Sequence, residues 1–197
     1  MFSRIDICRI SGLTEKQIRR LDETQILQPK LHGMGVDAEY SYNELIFVCV
    51  YGIIRERLKE LGFGLHELND KFKGGLASEI DFVNSDVFFF TRASFFLIPS
   101  SPEVRVIYEE WIGNKTYDIF PNVTTNYLRV FGLNVSDGIL LNALVLNLDK
   151  VRTHIKQQAD KLGISDKVPF KLYPKRAMVR CYKIYTGKRI SVEKQKV

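Results

Sequence analysis

The chain has 197 residues, 45% of them hydrophobic and 26% charged, which fits one large domain or two small ones and excludes disorder throughout. No window reaches the ~18 consecutive apolar residues of a membrane span, because Arg92 interrupts FFFTRASFFLIP and asparagines interrupt GILLNALVLNL. The net charge of +6 is uneven: residues 1–73 carry 11 basic and 11 acidic side chains, residues 74–166 carry 8 and 11, and residues 167–197 carry 10 and 1. A basic end of this kind attracts nucleic acid or anionic lipid, or serves as a solubilising terminus, and composition leaves both open. Charges in MFSRIDICRISG stand where a secretory signal needs an unbroken apolar core, so the expected location is cytoplasmic. Cys8, Cys49 and Cys181 are far apart and lack a C-x-x-C spacing, so reduced thiols are expected. The sequons at Asn114, Asn122 and Asn134 read as chance matches in such a chain.

In chain order, Ser3 is a candidate cap for a short helix with Ile7 and Ile10 on one side and Gly12 at its end. Thr14-Glu15-Lys16-Gln17 fits a capping box, so a second helix starts at Thr14. Ile18 and Leu21 form its apolar side, while Lys16, Gln17, Arg19 and Arg20 project elsewhere. Two short helices joined by a tight turn have the geometry of a helix-turn-helix, whose second helix lies in a DNA major groove. Arginine pairs with guanine O6 and N7, glutamine with adenine, and lysine neutralises phosphate. Glu15, Asp22 and Glu23 on the same helix oppose that role wherever they face phosphate. A third helix is expected from about Tyr42 to Leu61, apolar enough to be the packing centre. Gly62 and Phe63 mark its end, and a fourth helix carries Leu65, Leu68 and Phe72.

Three strings in this order resemble the amino-terminal winged helix-turn-helix domain of the MerR family of transcription regulators, over residues 3–72. ICRISGLTEKQIRRLDETQILQP (7–29) resembles the first two helices, with Cys8 in a slot usually filled by alanine and Arg19 at the characteristic arginine. EYSYNEL (39–45) is similar to the end of the wing and the entry to the third helix, with Tyr40 in the usual tyrosine position. IRERLKELGFGLHEL (54–68) is similar to the long helix, Gly-Phe turn and fourth helix. Departures accompany these matches. Arg20 and Leu21 stand where aromatic residues are common, Gln25 replaces a glycine, and Ala38 stands in place of an arginine between Asp37 and Glu39. The resemblance implies that Thr14, Lys16, Gln17, Arg19 and Arg20 meet the groove and its phosphates. Lys30 and Tyr40 would hold the wing, and Lys59 would touch flanking backbone; two readings of His32 stay open, as a charge that with Lys30 offsets the acidic wing or as an exposed loop residue.

After Lys73-Gly74-Gly75 no sustained heptad appears, so the family's dimerisation coil is not visible and residues 74–86 read as a linker. The runs at 86–99, 103–112, 117–123, 126–135 and 138–148 are aromatic and β-branched, separated by Pro, Gly and Asn, and predict an antiparallel sheet. Leu148, Val151, Ile155, Ala159 and Leu162 at helical spacing predict a helix packed on that sheet, stopping at Gly163, with a final strand at 178–185. Phe88, Phe89, Phe90, Phe95 and Phe96 read as sheet core or dimer interface. His66 and His154 lack any partner at metal or catalytic spacing, and Glu109 with Glu110 would point to opposite faces of a strand.

The expected fold class is therefore α+β. A helical winged helix-turn-helix domain (1–73) and a linker (74–86) precede a mixed domain of mainly antiparallel sheet with one packed helix (87–186) and a basic tail (187–197). The expected function is sequence-specific binding of double-stranded DNA by a homodimeric, nucleoid-associated transcription regulator. No catalytic residues, cofactor or metal are expected, and another protein or a small effector would meet the carboxy-terminal domain. Two alternatives stay open: an architectural or excisionase-like DNA-binding protein of a phage, plasmid or chromosome, and a winged domain turned to protein binding.

Overall fold

Local capping decides where the first helices begin and end. In a computed structural model, residues 1–30, 38–73, 80–91, 94–99, 117–123, 140–169, 178–183 and 191–196 are described. Helix α1 (Arg4–Ser11) starts at Ser3, whose hydroxyl accepts from Asp6 N at 3.2 Å while the Asp6 carboxylate accepts from Ser3 N at 2.9 Å. Gly12, at φ +75°, closes it by donating to the Cys8 carbonyl at 3.0 Å. Helix α2 (Glu15–Glu23) starts at Thr14 with the same device: Gln17 Oε1 accepts from Thr14 N at 2.7 Å. Ile7, Ile10, Ile18 and Leu21 are all buried.

The end of α2 shows how the chain turns without the glycine expected at Gln25. The Ile26 amide donates to the Leu21 carbonyl at 2.9 Å and the Gln25 amide to Asp22 at 3.0 Å, the paired bonds of a Schellman turn. That turn needs a left-handed residue, and Gln25 adopts it at φ +56°, the only non-glycine positive φ among the described residues. A side chain in this region costs about 1–2 kcal/mol relative to right-handed backbone. Gln25→Gly should therefore raise unfolding stability by about 1 kcal/mol, measured by urea titration.

Strands β1 (Phe2–Ser3) and β2 (Glu39–Tyr40) pair antiparallel with Phe2 opposite Tyr40, and Lys30 bridges Glu39 through both backbone bonds. The expected wing tip, 31–37, lies outside the described residues, as do segment 74–79, the strands expected at 103–112 and 126–135, and the sequons at Asn114 and Asn134. Helix α3 (Tyr42–Glu56) is capped by Ser41, with Glu44 reaching back to Ser41 N at 2.7 Å and also accepting from Gln28 N at 3.3 Å. It is shorter than expected: the Arg57 amide turns to the Ile54 carbonyl, three residues back, and residues 57–62 form turns up to Gly62 at φ +72°. Leu45, Ile46, Phe47, Val48, Val50 and Ile54 are fully buried, as a helix apolar on most of its circumference requires. Helix α4 (Leu65–Phe72) buries Leu68 and Phe72.

The chain divides into two compact units, and neither follows a single stretch of sequence. The first comprises Met1–Arg57, Gly64–Val83 and Lys150–Lys171; the second comprises Leu58–Phe63, Asn84–Asp149 and Leu172–Val197. Helix α5 (Leu148–Leu162), expected from its periodicity to pack on the sheet, contributes to the first unit from Lys150 onward. There the buried Arg152 donates through Nη1 to the Phe82 carbonyl at 3.0 Å, and His154 Nε2 lies 3.3 Å from the Ile10 carbonyl. At the end of a short 3₁₀ turn, Ser165–Lys167, Lys167 Nζ donates to Asp6 at 3.0 Å. Ile80 and Phe82, in the stretch expected to be a linker, are buried in the same unit. Asn43 holds them through the Ile80 carbonyl (2.6 Å) and the Phe82 amide (2.9 Å). The Phe82 ring lies 5.9 Å from that of Phe47.

In the second unit, β3 (Ser85–Thr91), β4 (Ser94–Pro99), β5 (Tyr117–Val123), β6 (Leu140–Asn147), β7 (Met178–Lys183) and β8 (Ser191–Lys196) form an antiparallel sheet. Its order is β5-β6-β3-β4-β7-β8. The aromatic run at 86–99 is thus a hairpin, with Phe90 opposite Phe95. Every residue of β3 is buried, so the central strand is covered on both faces, as continuous Val87-Phe88-Phe89-Phe90 demands. Phe88 lies 5.7 Å from Phe95, and Phe63 lies 5.7 Å from Phe90. The basic end is not all tail: Ser191–Lys196 pairs with β7 as an edge strand. The protein is a mixed fold of helices and antiparallel sheet, and among the described residues no helix is long and apolar enough to cross a membrane.

Candidate nucleic-acid interface

Burial of Ile18 and Leu21 fixes which way α2 faces. Lys16, Arg19 and Arg20 are exposed and Gln17 is half-buried at the edge of the same face. Thr14 and Gln17 hold each other through the capping box, so Thr14 sets the start of the helix and the Gln17 side-chain oxygen is engaged with backbone. Arg19 forms an i, i+4 ion pair with Glu15 through Nη2 at 2.7 Å and Nε at 3.2 Å. Both partners are more than half exposed, at 60% and 57%. Such a pair is worth about 0.3–0.5 kcal/mol, less than a charge-assisted contact to phosphate, so it restrains Arg19 without removing it from use. Lys16 and Arg20 form no ion pair among the described residues.

The acidic residues of α2 are handled individually. Glu15 is neutralised by Arg19, and Asp22 is turned inward. The Tyr40 hydroxyl donates to Asp22 Oδ2 at 2.7 Å, and Arg4 reaches the same oxygen through Nη2 at 3.3 Å and Tyr40 through Nε at 3.3 Å. This trio joins the start of α1, the end of α2 and strand β2. Only Glu23 remains exposed on the helix without such a partner. Tyr40 is completely buried, so it holds strand β2 from within the unit; burial, then the bond to Asp22, push its phenol far above the ordinary range.

Asp22 also carries a pH signature. Burial raises its pKa above the usual 3.8, outweighing the lowering by Tyr40 and Arg4, and Oδ1 is buried with no hydrogen-bond partner. A raised native pKa means the folded state holds the proton more tightly. The contribution is therefore present at low pH and lost as pH rises from about 4 through the folded pKa. The stability of the wild type minus that of Asp22→Asn should fall across this window, measured by urea titration at a series of pH values. A gap that widens with pH would show that Arg4 and Tyr40 outweigh desolvation. Asp6 has the opposite sign. Burial pushes it up, but Ser3 and Lys167 outweigh that and hold it below 3.8, so its contribution disappears on acidification.

Beside α2 lies a depression of about 130 Å³. Lys16, Gln17 and Arg20 form one wall, Tyr51 and Arg55 of α3 the other, and Leu21, Leu65 and Asn69 complete it. Among the described residues its lining contains no carboxylate. Sequence reasoning does not single out Arg55, although its place one turn after Tyr51 puts both on one face of α3. Lys30 is exposed beside strand β2, where its backbone bridges Glu39, and Lys59 is exposed in the segment that groups with the second unit; neither lines this depression. His66 is exposed beside Asp70, and no group of His, Cys, Asp or Glu among the described residues could hold a metal ion.

No family model, curated protein or solved structure matches the chain.

Proposed function

We propose that the chain is a sequence-specific double-stranded DNA-binding transcription regulator, its first unit a winged helix-turn-helix of the MerR type with α2 as the helix that enters the major groove. The observation that carries this reading is the outward row Lys16, Arg19 and Arg20 on a helix whose carboxylates, Glu23 apart, are paired or turned inward. Lys16 and Arg20 supply charge to the backbone and base edges, and the amide of Gln17 offers a donor near an adenine. Lys30 flanks the groove from the wing.

The protein acts in the cytoplasm on the nucleoid, as a homodimer on two half-sites about 34 Å apart or a multiple of that spacing, as the symmetry of such regulators requires. The second unit serves for association or for sensing a protein or small effector, and no catalytic step is assigned to it. A gel-shift titration tests the reading. Genomic fragments recovered with the protein should bind more tightly than random duplex of equal length, with a steep salt dependence. Equal affinity for both would favour an architectural or excisionase-like role, and absence of binding at low salt would favour a protein-interaction module.

A further inference from the structure

Among the described residues three cations line one depression, and no carboxylate lines it with them. Lys16 and Arg20 reach it from α2 and Arg55 from α3, over an apolar floor of Leu21 and Leu65. None of the three forms an ion pair among the described residues. Two of them also act on Tyr51: burial raises its phenol, and Arg55 and Arg20 both act to lower it. The Tyr51 hydroxyl itself is committed inward, donating to Asn69 Oδ1 at 2.6 Å, which fixes the ring as a rigid wall. Like charges left together oppose folding, and an anion seated between them relieves the repulsion.

We propose that this depression seats one backbone phosphate of the bound duplex, gripped by Arg55 together with Lys16 and Arg20. The proposal rests on the DNA-binding reading and deepens it. Arg55 joins the interface as a sequence-independent anchor, fixing how α2 sits in the groove without reading a base.

Fluorescence anisotropy with a recovered genomic duplex and a random duplex, from 50 to 300 mM KCl, tests it. Loss of one phosphate contact lowers the slope of log K against log salt by about 0.9 and the affinity at 0.1 M salt by about eightfold. Arg55→Gln should show both changes equally on the two duplexes, and Arg55→Lys should keep most of the slope. Lys16→Gln, at an exposed position, should show the same loss and serves if Arg55→Gln does not fold. An unchanged slope in the glutamine variants, or a loss confined to the genomic duplex, would overturn the phosphate assignment. If the wild type binds both duplexes and Arg20→Glu abolishes binding while Arg55→Gln does not alter it, only the anchor fails. If the wild type binds neither duplex, the anchor and the DNA reading fail together.

Discussion

Arg20→Glu should weaken DNA binding at 0.1 M salt by at least about 100-fold while leaving the thermal midpoint within about 2 °C of the wild type. The size follows from two losses. A base or phosphate contact from a guanidinium contributes about 1–3 kcal/mol, and the new carboxylate adds repulsion against a polyanion. The stability side follows from the position of Arg20, exposed and without an ion pair among the described residues, where substitution changes little in the folded state. Arg19→Glu is expected to be milder in binding, about tenfold, because wild-type Arg19 must first release Glu15. It should also destabilise slightly, since Glu15 would then face a second carboxylate one turn away in place of its guanidinium partner. Anisotropy and differential scanning calorimetry on the same samples separate the two effects. Retained affinity in Arg20→Glu would remove α2 from the interface.

The largest loss of stability is expected from Phe47→Ala. Phe47 is fully buried, with its ring 5.2 Å from Phe72, 5.9 Å from Phe82 and 6.1 Å from Tyr51. It therefore ties α3 to α4 and to the segment around Phe82. Removing a buried phenyl ring costs about 3–5 kcal/mol, a large share of the 5–15 kcal/mol that ordinarily separates folded from unfolded domains. Ile5→Ala, at an exposed residue of α1, should stay within about 0.5 kcal/mol. Urea titration of both variants checks the contrast. A loss below about 1 kcal/mol in Phe47→Ala would mean that the three rings around it close the space it leaves.

What is legible in the sequence is what short-range chemistry decides. The caps at Ser3, Thr14 and Ser41 use bonds between residues three apart, and Gly12 and Gly163 end their helices with positive φ, so local pattern suffices. The left-handed turn at Gln25 is visible because a glycine is expected there. The trio of Arg4, Asp22 and Tyr40 is not, because its members lie 18 and 36 residues apart and no periodicity connects them. Tyr40 therefore reads in sequence as a wing contact, while its hydroxyl is engaged with Asp22. Helix α5 shows the same limit. Its spacing identifies an apolar stripe, but a stripe does not say which surface covers it. The buried Arg152, which composition would assign to solvent, donates instead to the Phe82 carbonyl.

Helix α5 and the 3₁₀ turn after it join the first unit late in synthesis. Arg152, His154 and Lys167 meet partners at Phe82, Ile10 and Asp6, so the groups they satisfy leave the ribosome long before they do. During translation the amino-terminal part must wait, incomplete, for about half a minute at slow elongation rates, and a nascent chain halted near residue 100 should be far more sensitive to protease than the released protein.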